Sequence, residues 1–262
     1  MHRFFDGLKE VEIPTALEEL TPEQYMYFIT LSSIFATSAT MTEKDYRVRW
    51  LSYLAGLGPL DFTLLESERK AFFSNVLSSI DGFFNQESDG KLLPNFDTPV
   101  NLLPEVAGYH GPGDMLEGVT FGEFTECSTA LKTIPMDSEG EAMDAYGHVA
   151  RVLYKIPAEC EIPDILYFHA PTLFRNVLKL IETSPIDING EKIDFRIIFQ
   201  PTKTGRNYND KTGWAGITFE VASSGVFGGV REVEDTDFWM VLLYLYRCKF
   251  EYLHSQKKGR IK

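Results

Sequence analysis

The sequence has little of what would staple a fold, anchor it in a membrane or charge it for nucleic acid. Its three cysteines, Cys127, Cys160 and Cys248, are odd in number and far apart, which gives neither a disulfide framework nor the close spacing of a zinc site. They read as reduced, buried thiols. The longest apolar run, Phe238 to Tyr246, is nine residues long, about half of the ~18 to 20 that cross a bilayer. The opening residues reach Lys9 and Glu10 without the apolar stretch or cleavage site of a signal peptide, so synthesis in the cytoplasm is expected. A formal charge of −13 argues against direct nucleic-acid binding, because affinity for phosphates comes largely from Lys and Arg.

Motifs of catalysis are missing as well. There is no P-loop, no dinucleotide-binding glycine fingerprint, no His-Glu-x-x-His and no Gly-x-Ser-x-Gly elbow. The five histidines never stand at i, i+4, and His148, His169 and Cys160 could meet only through folding; His148, within a predicted helix, reads as a satisfied surface or core residue. Asp187, Glu191 and Asp194 beside Lys192 could suggest a magnesium site, but Glu191 and Lys192 are adjacent and so fall on opposite faces of a strand. The glycines of Gly108 to Asp114 have no Lys or Arg nearby to counter a phosphate, and read as a turn. No cofactor and no metal is expected.

What is present is globular composition, 44% hydrophobic with 20 Phe and 12 Tyr, enough to bury a substantial core. Glu10 to Ile13 alternates and predicts a short strand. Thr21-Pro22-Glu23-Gln24 is a capping box that starts a helix running to about Phe35. Further helices are predicted from Thr42 to Leu57, from about Leu65 to Ile80, from Thr120 to Thr133, from Glu139 to Tyr154, and from Thr172 to Glu182. Residues 85–113, with four prolines, read as a long connection pinned by Leu92, Leu93, Phe96, Leu102 and Leu103. Ile186 to Phe195 alternates on both sides of Asn189-Gly190, the signature of a two-residue hairpin. Residues 201–229 read as a glycine-rich loop with a strand from Gly216 to Val221. A last helix from Asp237 to His254 is apolar all round its first turns, which predicts burial.

The expected architecture is mainly α (α+β): a helical domain over 1–183, a hairpin and glycine-rich insert over 184–234, and a C-terminal helix with a basic tail over 235–262 that packs back on the helical domain. Charge is divided unevenly along it. Residues 1–200 carry 15 basic and 31 acidic side chains, whereas residues 201–262 carry 10 and 7, so a basic end could pair with the acidic body of another copy or with an acidic partner. Trp214, Phe219 and Phe227 in the loop, with Lys257, Lys258, Arg260 and Lys262 in the tail, are the candidate partner contacts.

Two blocks carry a family resemblance. Val11-Glu12-Ile13-Pro14-Thr15, followed by Glu18-Glu19-Leu20-Thr21-Pro22-Glu23-Gln24-Tyr25, is the first. Leu116 to Phe124, followed by Val152-Leu153-Tyr154-Lys155-Ile156-Pro157, is the second. Together they resemble a set of tailed-bacteriophage proteins encoded among virion and tail morphogenesis genes, although Lys155-Ile156 stands where that set has Arg-Pro. The resemblance implies a non-enzymatic assembly chaperone or structural component of neck or tail. It would work through contact with other phage proteins or further copies of itself, in the host cytoplasm during assembly and in the virion if retained. Two other readings stay open: a cytosolic binding or regulatory module, and an enzyme whose site is assembled from dispersed residues.

Overall fold

Threonine caps set where several helices begin. The Thr21 hydroxyl accepts from Gln24 N at 3.2 Å while Gln24 Oε1 accepts from Thr21 N at 2.9 Å, and α1 runs Pro22–Thr37. Thr42 and Asp45 make the same reciprocal pair ahead of α2, Glu43–Leu54. A computed structural model describes residues 2–5, 10–56, 75–88, 90–132, 139–188, 190–199 and 212–259. It divides the chain into two compact units, Met1–Thr98 and Pro99–Lys262. The division falls in the proline-rich connection, whereas residues 183 and 184 lie together inside the second unit.

In the first unit, β1 (His2–Phe5) pairs antiparallel with β2 (Glu10–Ile13), the strand expected there. The core is a ring cluster around Phe28, with Trp50, Phe96 and Phe83 at centroid distances of 4.8, 5.1 and 5.8 Å. Tilted and edge-on pairs at such distances add to what area burial alone supplies. The helix predicted over 65–80 lies largely outside the described residues; its end, Leu77–Phe83, is a 3₁₀ turn. That turn leads into β3 (Phe84–Gln86), which pairs with β4 (Leu92–Pro94).

The second unit begins in the connection, which is more structured than its prolines predict. Leu102 and Leu103 are buried, and β5 (Glu105–Val106) pairs with β6 (Tyr109–His110) across Ala107 and Gly108, both at positive φ, as a type I′ turn requires. Helices α3 (Phe121–Lys132), α4 (Glu139–Tyr154) and α5 (Asp164–Thr183) follow. Next come the expected hairpin, β7 (Ile186–Ile188) with β8 (Glu191–Ile193), and the short α6 (Arg196–Phe199). Then α7 (Gly213–Ser223), α8 (Val230–Glu234) and α9 (Phe238–Gly259) complete it. The architecture is mainly helical with small two-stranded sheets.

Several expectations need correction. Gly216 to Val221 is helix, not strand, because Trp214, Thr218 and Val221 recur at helical spacing and put Thr218 and Val221 in the core. The helix expected from Thr172 starts at Asp164 and runs through Pro171. Leu166, His169 and Ala170 lie buried with Leu173, Phe174 and Val177, and this burial outweighs the hydrogen bond that the proline removes. Leu178 and Leu245 are half-buried at the margin of the core. Cys127 is buried, but Cys160 is half-buried and Cys248 is exposed on the outer side of α9.

The start of α3 and the end of α4 are each set by a local motif. Thr120 and Glu123 close a capping box at the start of α3, and Gly122 lets α8 approach, since a Cβ there would lie 3.2 Å from Glu234 O. At the end of α4, Lys155 adopts φ 54° and Ile156 N donates to Arg151 O at 3.0 Å. This is a Schellman cap with a lysine where glycine is usual.

Candidate functional site

A groove of about 770 Å³ opens on the second unit, walled by α3, α7 and α8, with His148 of α4 at one side. Its α3 wall is Gly122, Glu123, Thr125, Glu126 and Thr129, positions three and four apart and hence one helical face. Trp214, Thr218 and Phe219 of α7 face them, and Glu234 and Asp235 close the α8 side.

Hydrogen-bond bookkeeping gives the groove its chemical character. Thr125 Oγ1 donates to Gly122 O at 2.9 Å, Thr129 Oγ1 to Thr125 O at 2.8 Å and Thr218 Oγ1 to Trp214 O at 3.0 Å. With their hydrogens engaged along the helices, these hydroxyls present lone pairs to the groove. Glu123, Glu126, Glu234 and Asp235 add four carboxylates, and no Lys or Arg lies among the lining residues. Glu123 is neutralised by an ion pair with Lys155, and Glu126 meets His148 Nε2 at 2.9 Å. Glu234 and Asp235 are exposed and make no ion pair among the described residues. An acceptor-rich trough of this kind suits a donor-rich, cationic occupant.

Aromatic rings add apolar contact. Trp214 is anchored by its Nε1–H, which donates to Ser128 Oγ at 2.8 Å, and by edge contacts to Phe121 and Phe124 at 6.0 and 5.3 Å. The Lys132 ammonium lies 5.5 Å from its ring centroid, so this ring already receives one cation. Phe219 stands 59% exposed. Phe227, by contrast, packs edge-on against Tyr244 at 5.5 Å and does not line the groove. Lys257 and Lys258 occupy the last turn of α9, while Arg260 and Lys262 lie outside the described residues. The structure thus brings Trp214 and Phe219 together and leaves Phe227 outside the groove.

A second polar cluster lies fully inside the unit. Asn101 Nδ2 donates to Pro112 O at 2.7 Å, and Asn101 Oδ1 accepts from Leu103 N at 3.0 Å. Those two bonds fix the amide orientation, so the 2.8 Å contact of His169 Nε2 with Oδ1 makes Nε2 the protonated nitrogen of a neutral imidazole. Tyr154 OH donates to Leu103 O at 2.7 Å. Burial pushes the His169 pKa down to about 3, because a charged ring there would lose its hydration. The cluster ties residues 101–112 to α4 and α5, and so shapes the fold.

The remaining candidates for chemistry stay apart. His148 is on the surface, His169 is in the core, and no group of three or more His, Cys, Asp or Glu among the described residues could hold a metal ion. Asp187 faces Lys192 across the hairpin and accepts from Gly190 N at 2.8 Å. Asp194 is held by Arg196 at 2.6 Å, which lowers its pKa. Comparison of the chain with protein-family models, curated proteins and solved structures finds no match.

Proposed function

We infer that the protein works without catalysis, as an assembly chaperone or structural component in tail or virion morphogenesis of a tailed phage, by binding other proteins. The observation that carries the binding part is the groove: exposed Phe219 beside Glu234 and Asp235, which have no ion-pair partner among the described residues. Surface carboxylates without counter-charges steer and orient a basic partner, and an exposed aromatic ring at their edge supplies burial once it docks. The phage part rests on the two sequence blocks, and no helix among the described residues is long and apolar enough to cross a membrane.

Affinity capture from a lysate of phage-producing cells tests this reading. The tagged protein is expected to retain a virion or tail component identifiable by mass spectrometry, and Glu234→Lys with Asp235→Lys is expected to release it. Capture of host proteins alone would move the assignment to a cytosolic binding module. Retention of the phage component unchanged by the two substitutions would remove the groove from its role.

A further inference from the structure

We propose that the groove takes the basic segment 257–262 of a second copy, so that the protein associates head to tail. This rests on the protein-binding reading above and gives that surface one specific occupant.

Charge is the first argument. Lys257, Lys258, Arg260 and Lys262 put four cations into six residues with no acidic side chain among them. Glu234 and Asp235 offer two carboxylates that make no ion pair among the described residues, Thr125 and Thr218 offer acceptors, and Trp214 and Phe219 offer ring surface. Ammonium and guanidinium groups are donors only, so they suit a surface rich in acceptors. Their aliphatic stems can lie along the rings.

Geometry then decides between the same copy and another. The first turn of α9 is fastened beside the groove: Thr120 bridges Asp237, Phe121 N donates to Thr236 O at 2.7 Å, and Asp237 follows groove-lining Asp235 by two residues. From Asp237 to Lys257 the helix advances 20 residues, which at 1.5 Å each is about 30 Å. The three residues from Gly259 to Lys262 span at most roughly 11 Å even when fully extended. The backbone of Lys257 and Lys258 therefore stands at the end of α9 away from the groove, and the three residues after Gly259 are too few to span the way back. A second copy meets no such restriction. Contacts of this heterologous kind close into a ring or extend as a filament, according to the rotation between neighbours.

The experiment is light scattering coupled to size exclusion on the full chain at about 50 mM and about 500 mM salt, where screening of exposed charges differs strongly. Three proteins are compared: the wild type, a groove variant with Glu234→Lys and Asp235→Lys, and a tail variant with Lys257→Glu and Lys258→Glu. Circular dichroism and urea midpoints matching the wild type show that both variants are folded. The wild type is expected to exceed the monomer mass at low salt and return to it at high salt, and each variant alone to remain monomeric. Mixed in equal amounts, the variants are expected to associate again, to at least twice the monomer mass, because the unaltered tail of the groove variant meets the unaltered groove of the tail variant. A wild-type monomer at about 100 µM and low salt would overturn the proposal. So would association of either variant at the wild-type level, or failure of the mixture to pair. If a phage component is still captured while the wild type is monomeric, the protein-binding function stands and only this occupant falls.

Discussion

Two polar regions of the second unit use similar side chains to opposite ends. Around Asn101 the polar contacts turn inward: the amide is held on both its nitrogen and its oxygen, the Tyr154 hydroxyl donates to a carbonyl and His169 is neutral. Along the groove, threonine hydroxyls, glutamates and His148 line a surface open to water, and Glu234 and Asp235 make no ion pair among the described residues. The difference is one of completeness. A satisfied buried network fixes a fold, because losing any member strands the others, whereas an unsatisfied exposed one costs almost nothing and is available to a partner.

The sharpest way to break this comparison is Asn101→Ala. It leaves the Leu103 N–H, the His169 Nε2–H and the Pro112 carbonyl without their shared partner in a dry site. We expect a loss of about 3 to 5 kcal/mol in urea unfolding, from ~1 to 3 kcal/mol for each stranded group with partial relaxation. A loss below about 1 kcal/mol would mean that water reaches the cluster and that it is not the closed network described. Gly111→Ala attacks the same place by volume, since the added Cβ would lie 2.7 Å from the Tyr154 ring and 3.0 Å from Asn101 Nδ2. Overpacking of that degree costs about 1 to 3 kcal/mol, and the fall in urea midpoint should be matched by loss of the near-ultraviolet signal of Tyr154.

Acid should weaken the buried network through His169. The folded-state pKa of His169 is depressed to about 3 from an unfolded value of 6.5, so the unfolded chain binds the proton first as acid is added. Its contribution to stability is complete above pH 6.5 and is lost progressively as pH falls toward 3. At pH 5 the loss is about 2 kcal/mol. His169→Gln should flatten this slope between pH 6.5 and 5 relative to the wild type. Equal slopes in wild type and His169→Gln would show that the buried imidazole does not carry the acid sensitivity.

Much of this arrangement was legible in the sequence and part of it was not, for reasons visible at single residues. Thr21, Thr42 and Thr120 announce their helices because capping is local: donor and acceptor sit three residues apart. The hairpin at Asn189-Gly190 is local in the same sense, as Gly190 takes the positive φ its turn needs. Residues 213–223 misled because their glycines and β-branched residues suggest loop and strand, while the burial of Thr218 and Val221 is decided by α3 and the distant core. Pro171 misled in the same way, since its local penalty was visible and the burial that offsets it was not. As for the groove, one wall could have been found as the polar stripe Gly122, Thr125, Glu126 and Thr129. Its opposite wall, more than 80 residues on, carries no spacing signal. In the sequence Trp214 and Phe219 stand out only as aromatic rings, and nothing sets Glu234 and Asp235 apart from other charged residues.

The smallest stability effect is expected at the groove, and that smallness is informative. Glu234→Gln with Asp235→Asn removes two negative charges that make no ion pair among the described residues, at positions exposed to water. Unfolding free energy should therefore stay within about 0.5 kcal/mol of the wild type. The neutral isosteres retain shape and hydrogen-bonding reach, so any change in binding reports charge rather than contact area. We expect association with a basic peptide spanning Lys257 to Lys262 to weaken about five- to tenfold at low salt, which corresponds to roughly 1 to 1.4 kcal/mol. The difference should shrink as salt rises, because exposed pairs are screened. A large loss of stability would mean that Glu234 and Asp235 belong to the fold as Asn101 does, and the contrast between the two regions would disappear.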